Sequence, residues 1–261
     1  GLIQCRVGSH FGSSQVFSAA SMFRSNLIAR QVVGFQRRMS SVAKIKATYF
    51  PVFARGPPVA LALELSGVDW EGAFPENWAE MKPTTPFLEL PVLEIPEIGM
   101  IGQEVAILNY IGSLSPEMGG ATPAEFLVSQ QLIGSGEDIY SKLSGFKRGY
   151  VDEEKAQEFW VTKDTTSHNK DFGLYAYLST LEAFITKCGI GEGKFTTSGK
   201  SVGEVKLWCM LHCCVMIKED CVADFPGIKL FYDRFLAMRE THGLLETGLR
   251  FGKPFNQYFG V

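Results

Sequence analysis

The apolar and polar residues of this chain follow two different periodicities, which divide it into two parts. From residue 44 onward, the pattern predicts strands and helices in alternation. In chain order these are a strand at 44–50, a helix at 58–66, a strand near 68–72, an irregular segment at 74–90, two strands of which the first spans 91–95, and a helix at 104–114. Strands that alternate with helices within about 70 residues indicate a small α/β domain, which we place at 43–114.

The pattern changes after a segment at 115–123 that is rich in Pro and Gly and is typical of a linker. Beyond it no strand alternation recurs, and helical periodicity predicts an all-helical domain at 124–252, followed by a tail at 253–261. The predicted helices span 126–143, 154–160, 172–187, 202–218 and 228–239. Ser201 and Glu204 have the spacing of a capping box immediately before the most apolar of these helices.

Composition excludes several classes of protein. The chain has 261 residues, 46% of them hydrophobic, which is enough for a proper core. A net charge of -3 gives no basic surface for nucleic acid, and the longest apolar run, 207–217, is too short to cross a bilayer. The six cysteines form no C-x-x-C pair and have no metal-ligand spacing, so we expect free thiols in a reducing compartment and no metal site.

The beginning of the chain has a different composition from the rest. No acidic residue precedes Glu64, and residues 22–41 bear Arg and Ser and are amphipathic if helical. This composition is typical of a mitochondrial or plastid transit peptide, which we place at 1–42; a disordered basic tail is the alternative. The sequence therefore predicts a mitochondrial protein, with a plastid or cytoplasmic location as alternatives.

An ordered set of short motifs carries a resemblance to a known family. The motifs are Thr48-Tyr49-Phe50-Pro51-Val52, the segment from Trp78 to Phe87, Leu90-Pro91-Val92-Leu93-Glu94, and the segment from Gln103 to Tyr110. In this order they resemble the soluble glutathione S-transferases, closest to the sigma class, which includes glutathione-dependent prostaglandin D synthases. The resemblance covers about residues 44–250. It implies a thioredoxin-like domain followed by an all-helical domain, a homodimer, and glutathione as co-substrate without a metal.

Tyr49, at the end of the first predicted strand, has the position of the catalytic residue in the tyrosine-type transferases. A thiol with a pKa of about 8.5 needs a hydrogen-bond donor if it is to be a thiolate at neutral pH. A phenol can donate such a bond without titrating itself. Packing at a strand end is the alternative role for Tyr49.

By the same resemblance, other positions would hold glutathione. Pro91 is expected to follow a cis peptide bond, so that the backbone of Leu90 pairs with the cysteinyl part of the tripeptide. Trp78 and Lys82 match residues that line the glycyl end, where an indole N–H and an ammonium can meet a carboxylate. Gln103 matches the glutamine that holds the γ-glutamyl end. Trp78 and Lys82 could equally be a packing aromatic and a solvated charge.

The chain departs from the family pattern at three places. Glu104 replaces the serine that grips the γ-glutamyl carboxylate, and we expect its charge to repel that carboxylate. The first helix begins Gly56-Pro57-Pro58, without the usual glutamate and arginine. Gly134 stands where related classes carry an aspartate that reaches the ligand across the dimer. Arg55, close to Tyr49 in sequence, could compensate for part of this loss.

Two hypotheses follow. In the first, Tyr49 activates the glutathione thiol for conjugation to electrophiles, peroxide reduction or isomerisation, with an apolar electrophile held between the domains against Tyr140, Phe146 and Tyr150. In the second, the chain is a non-catalytic scaffold, or a subunit of an organelle complex, with a degraded glutathione site. A dithiol oxidoreductase is excluded, because no cysteine lies near residues 49–55.

Overall fold

The computed structural model describes residues 44–144, 154, 160 and 173–260. The predicted transit peptide, at 1–42, lies outside these residues. So do Phe146, Tyr150 and most of the predicted helix at 154–160.

The first part of the described chain is a four-stranded mixed sheet with helices against it. The strands are β1 (Ile45–Thr48), β2 (Trp70–Ala73), β3 (Val92–Ile95) and β4 (Gly99–Gly102). Their order is β2-β1-β3-β4, with β1 parallel to β2 and antiparallel to β3, and β3 antiparallel to β4. The helices of this part are α1 (Gly56–Ser66), the one-turn α2 (Trp78–Met81) and α3 (Glu104–Ser113). The predicted thioredoxin-like fold is confirmed.

Helix α1 is largely buried. All of its residues from Gly56 to Leu63 are buried, because it packs against the sheet, against α3 and against the helical part. A helix that is apolar all round can be stable only in such surroundings. Its two prolines occupy the first turn, where no intrahelical N–H is required, and Gly67 ends it in the left-handed conformation at φ 72°.

The second part of the described chain is helical, as predicted. Its helices are α4 (Pro116–Gly119), α5 (Pro123–Leu143), α6 (Leu174–Cys188), α7 (Val202–Ile217), α8 (Pro226–Leu236) and α9 (Arg239–Thr247). The capping box at the start of α7 is confirmed: the Ser201 N–H donates to Glu204 Oε2 at 3.0 Å, and the Ser201 hydroxyl accepts from the Glu204 N–H at 3.4 Å. This box fixes the start of the helix that α5 packs against.

Four features differ from the predicted elements, the first being the one-turn α2 inside the segment predicted as irregular. The segment predicted as a linker contains α4, a single turn capped by Ser115. The helix predicted at 228–239 ends at Leu236, because Met238 is extended, and α9 follows it. Periodicity missed α9 because only Leu244 and Leu245 in it are strongly apolar.

The last residues fold back onto the beginning of the described chain. The Phe53 N–H donates to the Asn256 carbonyl at 2.6 Å, and the Asn256 N–H donates to the Pro51 carbonyl at 3.1 Å. Phe255 and Phe259 are buried. The segment at 253–260 is thereby tied to the loop that follows Tyr49. Among the described residues, no helix combines the length and the apolar character needed to span a bilayer.

Candidate active site

One cavity of about 850 Å³ brings together every residue that the sequence predicted to bind or activate glutathione. Its lining includes Tyr49, Arg55, Trp78, Lys82, Leu90, Pro91, Gln103 and Glu104. These residues come from the end of β1, the starts of α1 and α3, helix α2 and the entry to β3. Tyr140 from α5 and Tyr258 from the folded-back tail complete the wall on the side of the helical part.

Tyr49 is fixed by close packing and by one hydrogen bond. Only 5% of the residue is exposed, and its ring lies against Gly56, where a Cβ atom would come within 2.0 Å of Tyr49 Cδ1. The phenol oxygen accepts a hydrogen bond from the Arg55 backbone N–H at 3.0 Å. Burial raises the pKa of Tyr49, so the phenol stays protonated. Its own proton therefore remains available to a group in the cavity.

The glycyl and γ-glutamyl positions predicted from the resemblance present unpaired donors to this cavity. Within the part of the chain that the structure describes, the Trp78 indole N–H, the Lys82 ammonium and the Gln103 side-chain amide have no protein hydrogen-bond partner. Trp78 is held edge-on against Phe50, with ring centroids 5.2 Å apart. The Leu90–Pro91 peptide bond is cis, as the resemblance implied. The site can therefore offer several donors to a ligand that carries carboxylates.

Glu104 differs from its sequence interpretation as a carboxylate that faces and repels the ligand. It is 2% exposed, and its two oxygens lie 2.8 Å from the ammonium of Lys206, a residue of α7 that is fully buried. Arg55 Nη1 donates to Glu104 Oε2 at 2.9 Å. Burial raises the pKa of Glu104, while Lys206 and Arg55 oppose that rise. The Glu104 charge is thus compensated within the protein.

Glu137, on α5, completes a cluster of two acids and two bases. It accepts from Arg55 Nη1 at 3.0 Å and from Nη2 at 2.7 Å, and the Lys206 ammonium lies 2.7 Å from its Oε1. These charges lower its pKa although its own burial acts in the opposite direction. The guanidinium of Arg55 also lies over the Tyr140 ring, 3.9 Å from the centroid. We call Arg55, Glu104, Glu137 and Lys206 the charge cluster.

Comparison with known proteins identifies the family. No protein-family model matches the chain. Glutathione S-transferase 1 of Ascaris suum is 30% identical over 146 residues, which are 55% of this chain and 68% of that protein. The chain belongs to the glutathione S-transferase family of enzymes. The hematopoietic prostaglandin D synthase of Gallus gallus is 26% identical over 144 residues, 54% of this chain and 70% of that protein. The predicted resemblance to sigma-like transferases is confirmed.

A solved structure gives the same fold. Prostaglandin synthase D of Nilaparvata lugens superposes with a TM-score of 0.61 over 77% of this chain and 96% of that chain, at 22% sequence identity. This similarity shows the fold of the two-part transferase, an α/β sheet part followed by helices.

Three residues of this transferase's site were not predicted from the sequence. Glu137 lies three residues after Gly134 on α5, and no local pattern distinguishes its charge from that of a surface acid. Lys206 was signalled only as a lysine inside an otherwise apolar helix. Tyr258 had no signal, because its place in the cavity depends on the folded-back tail.

Two other expectations have different outcomes. Gly134 is exposed, and a Cβ atom built on it meets no atom within 4 Å, so it presents no side chain at this position of α5. Tyr140 lines the cavity and its ring is engaged by Arg55, while its contact with an electrophile stays a prediction. Among the described residues, no group of three or more His, Cys, Asp or Glu is placed to hold a metal ion.

Proposed function

We propose that this transferase activates glutathione through the hydroxyl of Tyr49, which donates a hydrogen bond to the thiolate sulfur. The observation that supports this most strongly is the state of that phenol. Its oxygen accepts from the Arg55 N–H at 3.0 Å, its pKa is raised by burial, and it lies in the wall of a cavity that also contains Trp78, Lys82 and Gln103. A protonated donor held in place stabilises an anion without proton exchange of its own.

The chemistry that follows is nucleophilic. The thiol proton leaves to solvent, and the sulfur then forms a bond to carbon of an electrophile as a leaving group departs or a strained ring opens. With a hydroperoxide, the thiolate attacks oxygen to release the alcohol, and a second glutathione reduces the resulting sulfenic acid to give the disulfide and water. With an endoperoxide, release of the thiolate after ring opening returns glutathione unchanged.

Glutathione would be held by complementary charge and by hydrogen bonds. The Trp78 indole and the Lys82 ammonium suit the glycyl carboxylate, and the Leu90 backbone suits the cysteinyl peptide group. Gln103, at φ 68°, precedes the first turn of α3, whose N-terminus favours the γ-glutamyl carboxylate. The pairing of Glu104 with Lys206 and Arg55 reduces the repulsion of that carboxylate by the first turn.

The test is the pKa of the glutathione thiol bound to the full chain, followed by thiolate absorbance during a pH titration. Wild-type protein should bind glutathione in calorimetry and lower its thiol pKa. Tyr49→Phe should raise that pKa by about 1 unit or more and lower kcat/KM with an activated aryl chloride about tenfold at neutral pH. Tyr110→Phe is the matched control, since Tyr110 lies outside the cavity lining and its hydroxyl has no partner among the described residues. Equal thiol pKa values in Tyr49→Phe and wild type would refute the role of Tyr49.

A non-catalytic scaffold is the second candidate, and the bare surface at Gly134 favours it, because no side chain there can reach a ligand amine. Absence of any heat on titration with several millimolar glutathione would support this candidate and overturn the first.

We also infer a homodimer, from the family resemblance, and a mitochondrial location, from the Arg-bearing, acid-free composition of residues 22–41. Sedimentation of the purified protein tests the first. Imaging of the tagged chain with and without residues 1–42 tests the second, and identical distributions would contradict it.

A further inference from the structure

Lys206 is a buried charge that the proposed reaction does not yet use. It projects from α7, and none of its side chain is exposed. Its ammonium lies 2.8 Å from both oxygens of Glu104 and 2.7 Å from Glu137 Oε1. Its stem passes Gly136 of α5, where a Cβ atom would come within 2.7 Å of Lys206 Cγ. The absence of a side chain at Gly136 thus leaves room for the Lys206 stem between α5 and α7.

Stability alone does not account for a lysine in this place. Replacing buried ion pairs by apolar residues of similar volume is often neutral or stabilising, and the residues of α7 around Lys206 are buried and mostly apolar. The neighbours of Lys206 point instead to the site. Glu104 is the first residue of α3, directly after Gln103, and Glu137 and Glu104 both hold the guanidinium of Arg55.

Arg55 connects this cluster to the catalytic tyrosine. Its side chain is bound by both carboxylates, and its backbone N–H donates to the Tyr49 phenol oxygen at 3.0 Å. The position of the phenol is therefore coupled to the position of the guanidinium. The cluster also sets the charge next to the cavity: with Lys206 present, two cations face two carboxylates and the sum is zero.

We propose that Lys206 is a positioning residue for the glutathione thiolate, acting through Glu104 and Arg55 on Tyr49, and that it compensates for an acid at position 104. This inference rests on the proposed function. Without Lys206, two carboxylates share one guanidinium beside the cavity, and the surplus negative charge opposes formation of the thiolate. Without the Glu104 charge, the surplus is positive and favours the thiolate.

The experiment uses three variants of the full chain and measures the pKa of the bound glutathione thiol in each. Lys206→Met removes the cation and keeps the volume of the stem, and Glu104→Gln removes the anion and keeps the shape of the side chain. The double variant leaves Arg55 and Glu137 as a balanced pair. Circular dichroism checks that each variant is folded.

The expected results differ in sign. Lys206→Met should raise the thiol pKa, so that at a fixed pH below the pKa values of wild type and variant the thiolate population falls about tenfold. Glu104→Gln should lower the thiol pKa. The double variant should return the thiol pKa towards the wild-type value. If Lys206 only stabilised the fold, the thiol pKa would shift in the same direction in both single variants, or in neither of them.

The outcomes separate this inference from the proposed function. If wild type binds glutathione and lowers its thiol pKa, but the single variants show no opposite shifts, the role of Lys206 is overturned and the role of Tyr49 is unaffected. If wild type itself neither binds glutathione nor lowers its thiol pKa, both are overturned. If Lys206→Met does not fold, the Glu104→Gln shift and its reversal in the double variant decide the question.

Discussion

Two glycines on α5 offer a direct test of how tightly the buried lysine is packed. Gly136 is buried, and an added Cβ atom would lie 2.7 Å from Lys206 Cγ and 3.1 Å from Cε. The lysine stem cannot simply move away, because its ammonium is held by Glu104 and Glu137. Overpacking of this kind costs about 1–3 kcal/mol, against a gain of about 1 kcal/mol from replacing glycine by alanine in a helix. We expect Gly136→Ala to lower the free energy of unfolding by up to about 2 kcal/mol, the difference between these two contributions.

Gly134 is the matched control on the same helix. It is exposed, and an added Cβ atom meets nothing within 4 Å, so Gly134→Ala should raise the free energy of unfolding by about 0.5–1 kcal/mol. Urea unfolding of the full chain, followed by circular dichroism and extrapolated to water, measures both changes. If Gly136→Ala is stabilised as much as Gly134→Ala, the space around Lys206 is looser than the structure shows and the close-packing argument is refuted.

Three further predictions concern stability. Burial holds the pKa of His212 at about 4, below its unfolded value of about 6.5, so stability present above pH 6.5 is lost as pH falls towards 4. Between pH 7 and pH 5 the free energy of unfolding should fall by about 2 kcal/mol more in wild type than in His212→Gln. Urea titrations measure it, and an equal fall in both proteins would contradict this prediction. Ser201→Ala removes the acceptor of the Glu204 N–H and should lower the free energy of unfolding by about 1 kcal/mol. Ser201→Thr keeps a hydroxyl acceptor and should retain most of this stabilisation. Phe259→Ala empties a site that is 1% exposed and should cost about 3 kcal/mol in the same assay; an unchanged urea midpoint would mean that the tail contributes nothing to stability.

The sequence determined the fold because the fold depends on local patterns, and the motifs that resemble the transferases indicated the residues that would hold glutathione. Alternation with period two and helical periodicity predicted the sheet part and the helices, since burial of one face imposes these periods on the residues. The motif residues from Tyr49 to Gln103 are placed by the ends of adjacent strands and the helices after them. Their order along the chain is therefore enough to bring them to one cavity.

The direction and pairing of Glu104 were decided only by the tertiary structure. From the sequence its carboxylate was predicted to face the ligand, whereas in the structure it pairs with Lys206, 102 residues away in the chain. Glu137, 82 residues from Arg55, joins them. No local periodicity contains such pairings, because they depend on how α3, α5 and α7 pack together and on the space left at Gly136. Tyr258 enters the cavity for a similar reason, since backbone hydrogen bonds from Asn256 to the loop after Tyr49 form only when the chain folds back on itself.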